Sequence, residues 1–97
     1  MRIARVIGTA TAPVKDPPLT GQSLLVVEPL DARGNVAGTH EVVTDTVGAG
    51  VGDWVLVAYG SAARQPSKTR GVPTDAAVVA ILDEVKVGEE STYKGLP

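Results

Sequence analysis

The sequence has no cysteine, no phenylalanine and one histidine, and aromatic residues make up only 3% of its 97 positions. Without cysteine there is no disulfide framework, no thiolate metal site and no cysteine nucleophile, a usage that fits a reducing compartment. A metal centre would need the lone His40 completed by carboxylates, and only Glu41 stands beside it. The shortage of rings, with Val and Ala abundant, suits a narrow, tightly wound β structure better than a wide sandwich. Long apolar runs are missing too: the longest clean one, residues 76–82, is far too short to span a bilayer. The N-terminus, MRIARVIG, lacks the apolar core of a signal peptide. Net charge is −2, with acids and bases interspersed, which argues against a dedicated nucleic-acid surface. The expectation is one soluble cytoplasmic domain, near the lower end of comfortable autonomous folding.

What is present is β patterning. Residues 2–12 form a first strand rich in Ile, Val and Thr, with Gly8 as a bend or bulge. Residues 23–30 make a second, in which Pro29 marks an edge or bulge because proline cannot donate to a ladder. A third runs over about 39–47, with Glu41, Val43, Asp45 and Val47 on one side and His40, Val42, Thr44 and Thr46 on the other. A fourth covers 53–59 and a fifth 78–87. Helical character is confined to short turns at 61–65, stopped by Pro66, and at 74–77 behind a Thr74 N-cap. Residues 88–97 form a loose polar tail. This is an all-β chain, a small five-stranded antiparallel OB-like barrel with at most one or two short helical turns.

The glycine-rich stretch Gly48-Ala49-Gly50-Val51-Gly52-Asp53 invites a phosphate-loop reading. Its spacing is G-x-G-x-G rather than G-x-G-x-x-G, and a strand follows it instead of a helix. The stretch is expected to be a hairpin-like corner whose glycines serve backbone geometry.

Other motifs offer little chemistry. Ser61, His40 and Asp45 or Asp75 could be written down as a triad, but no G-x-S-x-G elbow is present. The remaining carboxylates sit at turns or strand ends, where capping and solvation explain them. Arg64, Lys68 and Arg70 cluster in the long irregular stretch 60–73 and fit a solvated loop. Base stacking would have to come from Trp54, Tyr59 or Tyr93. No catalytic residue, cofactor or metal site is assigned.

The strands carry a different message. Leu24, Leu25, Val26 and Val27 are apolar on both faces, as are 55–57 and 78–82. A small barrel can hide one face of each strand inside itself; the other needs a second chain or the protein's own loops. Closed homo-oligomerisation is the expected solution, with Leu25, Val27, Val78, Ala80 and Leu82 as subunit-interface candidates.

Several segments, in this order, resemble the EutN/CcmL family of microcompartment vertex proteins. They are Val6-Ile7-Gly8-Thr9 with Lys15 and Pro17; Leu19-x-Gly21-x-x-Leu24-Leu25-x-Val27-x-Pro29-Leu30-Asp31; and the run Asp45-Thr46-Val47-Gly48-Ala49-Gly50-Val51-Gly52-Asp53-x-Val55-Leu56-Val57. Gly60-Ser61-Ala62-Ala63-Arg64-Gln65 and Pro73-x-Asp75-Ala76-Ala77-Val78-Val79-x-Ile81-x-Asp83 complete the match. The resemblance covers residues 1–87 as one vertex-type β-barrel domain and leaves 88–97 as a polar C-terminal tail. It implies a non-enzymatic homopentamer at the five-fold corners of a bacterial microcompartment shell. Its partners there are hexameric or pseudohexameric shell proteins and the enclosed enzymes, with no membrane and no nucleic acid. It also implies a narrow axial opening, for which Gly60, Ser61, Ala62 and Ala63 are the pore-lining candidates. The alternative, from the residues alone, is a stand-alone OB-like module for a ligand or single-stranded nucleic acid.

Overall fold

The structure, a computed structural model, describes residues 1–95; Leu96 and Pro97, the end of the expected tail, lie outside the described residues. Strands β1 (Arg2–Ala10), β2 (Ser23–Leu30), β3 (Glu41–Asp45), β4 (Trp54–Tyr59) and β5 (Ala76–Ile81) close into a barrel in the order β1-β2-β3-β5-β4. The pairs are antiparallel except β3 with β5, which run parallel through Thr44↔Ala77 and Asp45↔Val78. That parallel pair departs from the all-antiparallel expectation. It arises because β5 enters between β3 and β4, so these two consecutive strands are not neighbours.

Alternation decides what the barrel encloses. Ala4, Val6, Leu25, Val27, Val43, Val55, Val57, Ala76 and Val78 point inward and form a single core, most of it fully buried. Valine dominates because its branched, short side chain suits both the strand backbone and a narrow lumen. Fully burying one such side chain contributes about 1.5–3 kcal/mol. Ala49 packs against this core from the end where Asp45 lies, and Tyr59 from the end where Glu41 lies.

Irregularities fall where the sequence punctuates the strands. β1 is bulged between Val6 and Gly8, at the glycine expected to bend it. Pro29 lies past the last β2–β3 pair, Val27↔Glu41, and its carbonyl accepts from the Ala37 amide. No ladder donor is therefore missed on that side.

Three local expectations need correcting. Residues 74–77 are not helical: the Thr74 hydroxyl donates to the Ala76 carbonyl and accepts from Thr44, holding the chain extended into β5. The long fifth strand breaks at Leu82 and Asp83, and Glu84–Val87 forms a separate strand, β6. The segment read as a loose tail holds β7 (Glu90–Lys94), paired antiparallel with β6 in a two-stranded sheet of its own. Among the described residues, helical structure is limited to two short 3-10 turns, Pro17–Leu19 and Gly60–Arg64.

Candidate functional site

The glycine stretch is a crossing rather than a hairpin, since β5 lies between the strands it joins. It spans the end of the barrel and lands on β1, where the Gly52 amide donates to the Val6 carbonyl and the Val6 amide to that of Asp53. Gly48 (φ 79°) and Gly52 (φ 97°) take left-handed backbone that a side chain would strain. The amides of residues 47–50, which a phosphate cradle would need, are already used. Val47, Gly48 and Ala49 donate to the carboxylate of the buried Asp45 at 3.0–3.2 Å, and Gly50 donates to Asp53 at 2.8 Å. The corner is an internally neutralised plug, not an anion site. Beside it lies an open depression of about 560 Å³ lined by residues that include Ser23, Asp45, Ala49 and Lys68.

The same commitment of the Asp45 carboxylate removes it from any triad. Ser61 and His40 are both exposed, and among the described residues no hydrogen bond joins Ser61, His40 and Asp45 or Asp75. Nor do the described residues contain a group of three or more His, Asp or Glu side chains placed to hold a metal.

At the opposite end the Tyr59 hydroxyl donates to Glu41 at 2.9 Å. Burial first, then the Glu41 carboxylate, push the phenol up to about 12. Trp54 faces outward from β4 and stacks on Tyr93, with ring centroids 4.4 Å apart and planes 12° from parallel. A Cβ on Gly34 would stand 2.9 Å from the indole, so the β2–β3 loop closes over the same ring. Further ties of this loop to the hairpin are a hydrogen bond from the Thr92 hydroxyl to the Ala32 carbonyl and the exposed Arg33–Glu90 pair. All three aromatic rings are thereby committed, and none is left as a platform for bases.

The stretch 60–75 is built, not slack. Ala63, Thr69 and Val72 are buried, and the Thr69 hydroxyl donates to the Ala63 carbonyl at 2.7 Å. With the Gly60–Arg64 turn seated on β4 and β5, it covers the outer sector where Ala58 and Ala77 are also buried. Arg64 donates to the Thr74 carbonyl, while Lys68 and Arg70 remain exposed. Of the pore-lining candidates, Gly60, Ser61 and Ala62 are exposed, whereas Ala63 faces the protein's own interior and presents no side chain to an opening.

A similar division applies to the interface candidates. Leu25, Val27 and Val78 are core residues at 0–3% exposure, so they have no surface to give a partner. Ala80 and Leu82 are half-buried on the outside. The outward-facing apolar side chains beside them are Ile3, Leu56, Leu24, Val26 and Val42, of which Leu24, Val26 and Leu56 belong to the runs that are apolar on both faces. In β2 and β4, apolar on both faces, alternation carries no parity that could have singled this set out.

A family model described as "Ethanolamine utilisation protein EutN/carboxysome" matches residues 1–83. The chain is similar to the carboxysome shell vertex protein CcmL of Synechococcus elongatus, 47% identical over 93 residues that cover 96% of this chain and 94% of that protein. Among solved structures, CcmL of Nostoc sp. PCC 7120 superposes with a TM-score of 0.91 at 45% identity, covering 98% of this chain and 100% of that one. The GrpN pentameric microcompartment shell protein from Rhodospirillum rubrum superposes with a TM-score of 0.82 at 44% identity, covering 90% and 99%.

Proposed function

The chain belongs to the EutN/CcmL family, and from that membership we propose that it is a structural shell protein of a bacterial microcompartment. Five copies form a ring that caps a five-fold vertex and closes the polyhedral shell in the cytoplasm. The observation that carries this reading is the likeness, along nearly the whole chain, to proteins named as shell vertex proteins. The chain's own build agrees with a role in shape rather than chemistry. Asp45, Thr69 and Thr92 hold the corner, the loop and the hairpin in place with their polar side chains.

Within the assembly, the ring abuts hexameric or pseudohexameric shell tiles and encloses the compartment's enzymes. The exposed Gly60, Ser61 and Ala62 line the opening on the five-fold axis. Residues 1–87 hold the vertex domain; the tail segment beyond them contributes β7, which docks back on the barrel through Tyr93.

Deleting the gene while leaving the rest of the shell intact tests the role. The expected result is open or elongated shells with intact tiles and enzymes; closed polyhedra of normal size, with no second vertex protein present, would overturn it. The stand-alone OB-like binding module is not favoured, since Trp54 and Tyr93 stack on each other and Tyr59 is tied to Glu41.

A further inference from the structure

The barrel's outer surface divides into sectors, and the chain covers only some of them. Stretch 60–75 covers Ala58 and Ala77; Tyr93 and the Gly34 loop cover Trp54. Two apolar sectors are left without cover. In the first, the register aligns Leu30, Ile3, Leu56 and Ala80 in one row across β2, β1, β4 and β5, with Leu82 at its border. In the second, Gly8, Val26 and Val42 form a row across β1, β2 and β3, with Leu24 beside it. Val42 is 55% exposed, and the other aliphatic side chains of the two rows, except the buried Leu30, are half-buried. The ion pair Arg5–Glu28, at 3.0 Å, runs between the rows and makes them two patches instead of one.

We propose that these patches are the two halves of one junction: the Ile3–Leu56–Ala80 face of one copy docks on the Gly8–Val26–Val42 face of the next. The inference rests on the ring proposed above. A face that pairs with itself closes a dimer and stops, so a ring of five needs two different faces that meet head to tail. This chain has two such faces, and they differ in relief. Ile3 and Leu56 project branched side chains, whereas Gly8 projects none and leaves Val26 open on that side, so that even an added Cβ would only just touch it at 3.9 Å. Knobs on one face and the side-chain-free Gly8 position beside Val26 on the other suit apolar packing at interior density. Two unshared apolar patches on every monomer are also what a small barrel in water avoids.

The experiment places one charge on each face, with Ile3→Glu and Val42→Glu, and reads native mass by light scattering beside the wild type. A carboxylate forced into an apolar junction weakens it by on the order of a hundredfold or more. Each variant alone should run as a monomer with a cooperative thermal transition. Mixed one to one, they should form a heterodimer and nothing larger, because one intact junction remains between the unmutated faces. Should Ile3→Glu lose its transition, Ala80→Glu on the same face replaces it.

Variants that stay pentameric, or that run alone as dimers through a self-pairing face, would overturn the assignment, and so would a mixture that stays monomeric. A wild-type chain that is itself monomeric would instead sink the pentamer reading, which keeps the two failures apart.

Discussion

The indole of Trp54 and the phenol ring of Tyr93 lie face to face, 4.4 Å between centroids, and join the C-terminal hairpin to the barrel. A two-stranded hairpin is marginal by itself in water, so this contact supplies what the β6–β7 ladder lacks. Aromatic stacking of this kind contributes about 0.5–1.5 kcal/mol beyond the area it buries. Tyr93→Ala is expected to shift the emission of the only tryptophan to the red and to speed amide exchange across β6 and β7, while the barrel amides keep their protection. Unchanged emission and exchange would show that the hairpin is held by something else.

Asp45 organises the crossing at the barrel's end by accepting from three successive amides. Removing the carboxylate leaves donors that water only partly satisfies, because Ala49 is packed against the core. Asp45→Ala should destabilise the fold by about 1–3 kcal/mol in urea titration, with Asp45→Asn falling between it and the wild type. If Asp45→Ala matched the wild type, the corner would have to be held by its glycines and by β1 alone.

Much of this architecture was legible in the sequence, and the failures share a physical origin. β2 was placed at its observed bounds, and Gly8 marked the bulge, because turn residues and β-branched runs are local signals. Facing was not legible. Where a strand is apolar on both sides, as at 24–27 and 78–82, alternation gives no parity, so Leu25, Val27 and Val78 read as surface although they are core. The bulge that places Val57 opposite Val78 shifts parity again near Val79. The hairpin is not legible because its second strand, Glu90–Lys94, is polar and owes its order to Trp54, some 40 positions away in the chain. The parallel β3–β5 pair depends on where β5 inserts, which no local pattern encodes.

The Tyr59 phenol links stability to alkaline pH. Its folded value is raised from 10.0 to about 12, by burial and by the Glu41 carboxylate, so the folded protein holds the proton more tightly than the unfolded chain. The contribution is fully present below pH 10 and is lost as pH climbs toward 12. Tyr59→Phe should therefore flatten the fall in stability over that window while losing the bond to Glu41 at neutral pH. Identical alkaline slopes for the two proteins would contradict the linkage.

The axial assignment of the Gly60–Ala62 segment is open to a direct chemical test, since the chain has no cysteine of its own. In Ser61→Cys the five new thiols would be the only ones present and would converge around the axis. A short bifunctional thiol reagent should then give covalent dimers and higher species in denaturing gels, and should do so only when the ring is intact. Exclusively monomeric bands from a pentameric sample would move the opening elsewhere.

The native mass of the purified protein at micromolar concentration decides whether the ring exists. A closed ring predicts a single species at five times the mass of the 9.9 kDa chain, unchanged on dilution through that range. A stable monomer or dimer would contradict it.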